Sequence, residues 1–447
     1  MSRDAWRTTA VVLLGVALVA LSWPLHRLTD LVDPRGPYVA AELAMVVVCG
    51  VAAALLWRSA RRRDVVIVLV VAVVVRALLV PGAPTLSDDA YRFVWDGRVQ
   101  AAGINPYRNV PADRRLVRLR DWQVFTRVNR PHTRTLYPPA NEVVFVAAHQ
   151  VAGDGIVPWK LSILALEAAG IALLLALLTR ARVSRGRVVL YAWHPIAIIE
   201  IAGSGHPDPI MVVALLASLL LWDAHRRVAA GVALGVAALA KVVPALAAPF
   251  LARRLGGRFL LAAAATGTAL YLPYIGAGTH TLGSISSFVD QRFGAGPYTW
   301  LLAAGVGRTT ALAGLLVLLA AAVAWAAAHP PRDLVGACRL TALLLGGALL
   351  ASHTVLPWYL LWVLPLLCVA PVPALLWACA TAPVLYLAMP PDRILPAGAT
   401  TVIVWGPTLA LLALDAIRSW SRRRRSTEGA RAPERAGAGV PAPGPAG

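Results

Sequence analysis

The chain has 447 residues, of which 58% are hydrophobic and 14% charged, and its formal net charge is +20. A soluble domain carries about 25% charged residues, so the composition excludes an ordinary soluble enzyme and describes an integral membrane protein. The positive charge lies in short arginine clusters between apolar runs, the pattern that writes membrane topology, and this argues against a nucleic-acid partner.

Arg3 and Arg7 precede an apolar stretch from Ala10 to Leu21. It lacks a convincing small-residue cleavage site and further apolar runs follow, so it reads as an uncleaved first span rather than a signal peptide. A helix needs about 20 apolar residues to cross a bilayer, within a range of about 17–25. The runs that qualify are 8–26, 38–57, 65–80, 159–179, 188–204, 208–224, 258–277, 310–328, 334–352, 355–371, 373–389 and 398–418. They predict an all-α polytopic membrane protein of about twelve transmembrane helices. Residues 1–425 form the membrane domain, and the Ala-, Gly-, Pro- and Arg-rich residues 426–447 read as a disordered cytoplasmic tail.

Arginine clusters at 58–63, 180–187, 226–227, 253–254 and 422–425 fall on one side if both termini are cytoplasmic. Residues 81–158 then form a large outer loop. Only 25 residues separate Arg227 from Arg253, too few for two crossings. A broken, re-entrant hairpin resolves this, with the break near Lys241-Val-Val-Pro244. The run Ala140–Val151 reads as a second partial insertion. Cys49, Cys338, Cys368 and Cys379 lie in or beside apolar runs without metal-ligand spacing, and read as small buried hydrophobes.

The outer loop opens on Ser87-Asp88-Asp89. Ser87 suits an N-cap, and acids in the first turn are favoured by the helix dipole. Gly103 and Asn105-Pro106 stop the helix, which is expected over about 88–102. Asp89, Arg92, Asp96 and Gln100 share one face, and Phe93, Val94 and Ala101 another, so an amphipathic helix lying in the membrane interface is predicted. Two acids with Arg92 as ion-pair partner are one reading; a general base for a hydroxyl nucleophile is the other. The loop continues through Arg127, Arg130, His132 and Arg134, basic groups suited to lipid phosphates.

The motifs Asp88-Asp-x-Tyr-Arg-Phe-x-Trp-Asp-Gly-Arg-Val-Gln100, Gly103-Ile-Asn-Pro-Tyr107 and Tyr137-Pro-Pro139 resemble the first outer loop of polytopic GT-C glycosyltransferases. The nearest resemblance is to the glycosyltransferase 87 family and its polyprenol-phosphomannose-dependent mannosyltransferase relatives. Gly203-Ser-Gly-His-Pro-Asp208, Ala238-Leu-Ala-Lys-Val-Val-Pro244 and Leu356-Pro-Trp-Tyr-Leu-Leu-Trp362 agree with it, over about residues 70–370. The resemblance implies a GT-C bundle in the cell membrane with its active site on the outer face. It also implies a polyprenyl-phosphate-sugar donor, mannose by preference, and a glycan or glycolipid acceptor. Transfer would invert the anomeric centre, without a nucleotide cofactor or a metal. The catalytic acid of the family falls on Asp88 or Asp89, with Asp89 preferred.

Ionisable groups inside spans are functional suspects because burying them is expensive. Arg76, near the outer end of the third span, is a candidate for the donor phosphate, or it snorkels to the interface. Lys241 and His206 are further donor candidates, together with Arg92. Asp208, Tyr137, His353, Trp358 and Tyr359 are candidates for the acceptor or sugar, with turn formation and the aromatic belt as the plainer roles. Glu200 and His194 lie in a span with Pro195, where helix–helix hydrogen bonding competes with function. Asp290 and Arg292 receive no role. A transporter or flippase is the alternative, since it would explain a broken hairpin and a buried lysine. It does not explain a large structured outer loop, and matching halves are not visible.

Overall fold

The computed structural model describes residues 3–27, 35–84, 86–283, 296–389 and 393–431. These residues are helical, with no strand among them. Asp290 and Arg292 lie outside the described residues, as does the tail from 432 onward. The last helix runs Ala397–Arg431, past Ser426, where the tail is expected to begin.

The chain opens with α1 (Arg3–Ser22), α2 (Arg35–Leu56) and α3 (Arg62–Leu79), the first packing on each of the other two. After the buried helix α4 (Asp89–Ala101) come α5 (Pro139–Ala152) and α6 (Ile156–Arg180). Next are α7 (Asp208–Asp223) and α8 (Arg227–Ala240), followed by α9 (Gly257–Tyr271), α10 (Arg308–Ala328) and α11 (Leu334–Ala351). The helix Ala397–Arg431 is α12.

The protein is a helical polytopic membrane protein. Among the described residues, seven helices are long and apolar enough to cross a bilayer, beside the count of about twelve expected from the apolar runs. Part of the difference has a physical origin. The expected spans 188–204 and 355–371 are mainly apolar, with His194 and Glu200 in the first. Neither forms a regular helix. The first breaks into short helical pieces ending in a π-helix, Ile198–Gly203, and the second into a 3-10 turn, Pro357–Trp362, and a short helix, Leu364–Val369. All of residues 188–202 and 357–369 are buried. Irregular backbone at membrane depth is tolerated where protein, not lipid, surrounds it. At 14 residues, α5 is too short to cross.

The break expected near Lys241 is present. Helix α8 ends at Ala240, Lys241 is extended, and a 3-10 turn at Val243–Ala247 leads into the helix Ala248–Leu255. The Asn141 side chain donates to the freed carbonyl of Ala240 at 2.7 Å. Helix α8 lies close on α9: a Cβ at Gly231 would sit 2.2 Å from the Phe259 carbonyl oxygen, and one at Gly235 would sit 2.7 Å from that of Ala263. Small residues four apart allow this approach in membrane helices.

Helix α4 corrects one expectation. Its bounds and its stop at Gly103 (φ 75°) agree with the sequence reading, and the Asp89 amide donates to Ser87 Oγ at 3.2 Å. It is not an interfacial helix, however, since Ala90 through Val99 are all buried. Phe93 packs against Tyr137, Phe145 and Trp159, with ring centroids 4.9, 5.0 and 5.4 Å away. Arg92 is neutralised by Asp96 at 2.9 Å, and Gln100 donates to Glu142 at 2.7 Å. Both faces of the helix therefore meet protein. The four cysteines are free and buried.

Candidate active site

A cavity of about 200 Å³ opens at the N-terminal end of α4. Asp89, Arg92 and Phe93 come from α4, and Asn129, Arg130, Thr133, Arg134, Leu136 and Tyr137 from the loop after it. His206 and Pro207 precede α7, Lys241 ends α8, and Trp358 and Tyr359 come from the broken segment near the C-terminus. Seven of the side chains singled out from sequence thus meet at one place: Asp89, Arg92, Tyr137, His206, Lys241, Trp358 and Tyr359.

Asp89 is the carboxylate among the cavity's lining residues. One of its oxygens accepts from Asn129 Nδ2 at 2.5 Å, and the other lies 3.9 Å from His206 Nε2. Asp88 is not among the lining residues. Its carboxyl is held above the usual carboxylate range by partial burial and the adjacent Asp89 charge, with Arg127 opposing. Of the two acids, Asp89 is the one on the cavity wall, whereas Asp88 is exposed outside it.

His206 is 1% exposed. The turn that carries it is set by Gly205, whose φ of 73° suits glycine, and by Trp159 Nε1 donating to the Gly205 carbonyl at 2.8 Å. Its ring stacks on Trp358 at 4.1 Å between centroids, 19° from parallel. Its Nδ1 lies 3.1 Å from one carboxylate oxygen of Glu200, whose other oxygen accepts from the Tyr386 hydroxyl. Glu200 sits in the π-helix, a feature frequent at functional sites.

Asp208 lies behind the wall rather than on it. One oxygen accepts from Trp362 Nε1 at 2.7 Å and stands 3.8 Å from Lys241 Nζ. The Lys241 ammonium is also 5.6 Å from the Tyr359 ring centre and 5.7 Å from that of Trp362. A carboxylate and two aromatic faces thus aim this cation at the cavity. Tyr137 is pinned through its carbonyl, which accepts from the Tyr107 hydroxyl at 2.6 Å. His353 is not on the cavity wall; its ring meets Tyr298 edge-on at 6.3 Å.

Arg76 is elsewhere. Its Nε and Nη2 donate to the two oxygens of Glu167 at 2.7 and 2.6 Å, and its Nη1 donates to the carbonyls of Ala192 and Ala72 at 2.8 and 3.1 Å. Those acceptors occupy the guanidinium, and it does not line the cavity. Arg130 and Arg134, which the sequence reading offered to lipid phosphates, do line the cavity. Arg130 has a φ of 50°, a backbone state that non-glycine residues reach at a cost and that clusters at functional sites. Asn129 and Thr133 carried no signal of their own in the sequence. Glu200 was visible only as an acid in an apolar run.

A second cavity of about 250 Å³ adjoins the first and shares Leu136, Tyr137, Lys241 and Tyr359 with it. Its other lining residues are mainly apolar, among them Ala240, Val242, Val243 and Ala348. A cation-rich chamber therefore joins an apolar one across Lys241 and Tyr359.

A family model described as alpha-(1->6)-mannopyranosyltransferase, N-terminal domain, of the MptA_B family matches residues 3–256. No curated protein and no solved structure matches the chain. The matched region holds Asp89, Arg92, Tyr137, His206 and Lys241, whereas Trp358 and Tyr359 lie beyond it. It agrees with the mannosyltransferase resemblance of the loop motifs and assigns a mannosyl transfer reaction. With more than half of its length matched, the chain belongs to the MptA_B family of mannosyltransferases.

Proposed function

We propose that the protein transfers mannose from a polyprenyl-phosphate donor to a hydroxyl of a glycan or glycolipid acceptor at the outer face of the cell membrane. The observation that carries this reading is the charge of the cavity wall: Arg130, Arg134 and Lys241 line it with a single carboxylate, Asp89, while the charge of Arg92 is balanced by Asp96. Such a wall suits a phosphate group beside one general base. The adjoining apolar chamber suits the first isoprene units of a lipid donor.

In this reading the acceptor hydroxyl oxygen attacks the anomeric carbon as its proton passes to Asp89. The bond from the anomeric carbon to the phosphate oxygen breaks, and polyprenyl phosphate leaves with the bonding electrons. Attack opposite the leaving group inverts the anomeric centre. Lys241 and the arginines stabilise the charge that gathers on the departing phosphate, usually the largest catalytic contribution. Asn129 holds the Asp89 carboxylate, with His206 at 3.9 Å beside it, while Trp358 and Tyr359 offer flat apolar surface to a sugar ring. The chemistry calls for no nucleotide cofactor and no metal.

The test is transfer from radiolabelled polyprenyl-phosphate-mannose by purified protein. Asp89→Asn is expected to lower the rate by about 10²–10⁴, the usual worth of general-base help. Asp88→Asn is expected to keep most of it. A wild-type rate for Asp89→Asn removes the base assignment. Nucleotide-mannose as a sufficient sole donor removes the lipid-donor reading.

A further inference from the structure

His206 was expected at the donor phosphate, but its surroundings point to another task. It is buried between two carboxylates, with Glu200 at 3.1 Å from Nδ1 and Asp89 at 3.9 Å from Nε2. A third carboxylate, Asp208, stands nearby on the first turn of α7. Its ring lies flat on Trp358. Carboxylates within about 4–6 Å favour the charged form of a histidine, and an indole face does the same. The cations around this cluster are Arg92 on α4, paired with Asp96, Arg127 on the loop, which acts on Asp88, Lys241 at the end of α8, 3.8 Å from Asp208, and Arg130 and Arg134, which line the same cavity. Asp88 on α4 is paired in charge with Arg127, and Glu42 and Tyr386 act on Glu200 from behind.

We infer that His206 is a positioning residue: as an imidazolium beside Glu200 and stacked on Trp358, it offsets at Asp89 the negative charge of an anionic donor in the same cavity. This rests on the reading of Asp89 as the base. The physical need is direct. A phosphate entering a cavity with one carboxylate repels the charge that a base depends on. A buried cation on the far side of Asp89 opposes this. Glu200 supplies the charge that keeps His206 protonated, and the π-helix delivers it. The His206 amide also donates to the Glu200 carbonyl at 2.9 Å, so ring and backbone are tied to one residue. No proton needs to leave His206 during transfer, since the acceptor's proton stops at Asp89.

The experiment is the pH dependence of kcat with the full-length protein in nanodiscs, using polyprenyl-phosphate-mannose and a mannoside acceptor. Wild-type activity is expected to fall on an alkaline limb as His206 loses its proton. His206→Gln is expected to lower kcat about 10–100-fold, to change the donor KM less than about threefold and to lack the alkaline limb. The wild-type rate at high pH should approach that of His206→Gln. Glu200→Gln should move the limb to lower pH by about one unit, the worth of one close opposite charge. It also provides the readout if His206→Gln does not fold. A His206→Gln enzyme with normal kcat and a raised donor KM makes His206 a donor contact and overturns the inference. So does an alkaline limb that neither variant moves. If Asp89→Asn is fully active, the base assignment fails first; if it is inactive while the limb stays fixed in both variants, only the His206 role fails.

Discussion

Replacing Glu167 by Gln is the sharpest probe of how this fold uses buried charge. Glu167 holds Arg76 with two hydrogen bonds of 2.6 and 2.7 Å, and the two side chains are 1% and 7% exposed. Glu167→Gln keeps the shape but leaves a guanidinium buried without its counter-charge. Breaking a buried pair from one side costs about 3–5 kcal/mol. At about 1.4 kcal/mol per tenfold, that lowers the folded fraction relative to unfolded by a factor of about 10²–10³. Removing both partners, Arg76→Met with Glu167→Leu, is expected to be near neutral, because burying two charges already offsets most of their attraction. Thermal unfolding of wild type, Arg76→Met, Glu167→Leu and the double variant in one detergent gives the double-mutant cycle, with Glu167→Gln measured beside them. Initial rates against donor concentration then separate structure from binding. The folded double variant should keep the wild-type donor KM, because Arg76 lies off the cavity wall. A tenfold higher KM in that variant would show that Arg76 meets the donor phosphate and would refute the reasoning.

Lys241→Met should lower kcat by about 10², the loss seen when one pre-aimed charge or donor is removed, and Lys241→Arg should recover part of it. Steady-state rates at saturating donor measure both. Asp88 has a raised carboxyl in the folded state, so its ionisation opposes folding above its folded pKa, and the penalty fades as pH falls below the ordinary carboxylate range. Asp88→Asn should therefore be at least as stable as wild type at pH 7, with the difference vanishing on acidification; melting curves at several pH values check this. The native cysteines are buried, so single surface cysteines report topology cleanly. Arg118→Cys should react with an impermeant reagent added to intact cells, and Arg258→Cys only after lysis; the reverse pattern removes the outer-face orientation.

The sequence by itself determined that this is a helical membrane protein, because polar composition and apolar run length are local quantities that a bilayer constrains directly. It also located the end of α4 at Gly103 and the break at Lys241, where too few residues separate two arginine pairs for two crossings. It gathered most of the cavity's residues through short motifs, but could not tell which of them line it. Tertiary structure decided that. Arg76 and Arg92 each meet a carboxylate, yet Glu167 from a distant helix holds the first away from the cavity, while Asp96 one turn on leaves the second on its wall. The acids Asp88 and Asp89 are neighbours in sequence and differ only in the direction the first turn gives them. The runs 188–204 and 355–371 are long and apolar enough to read as spans, and their burial among other helices lets them break into pieces that carry Glu200 and Trp358 to His206. Hydrophobicity fixes that a segment leaves water. Whether it meets lipid or protein depends on partners far along the chain, and those partners shape the site.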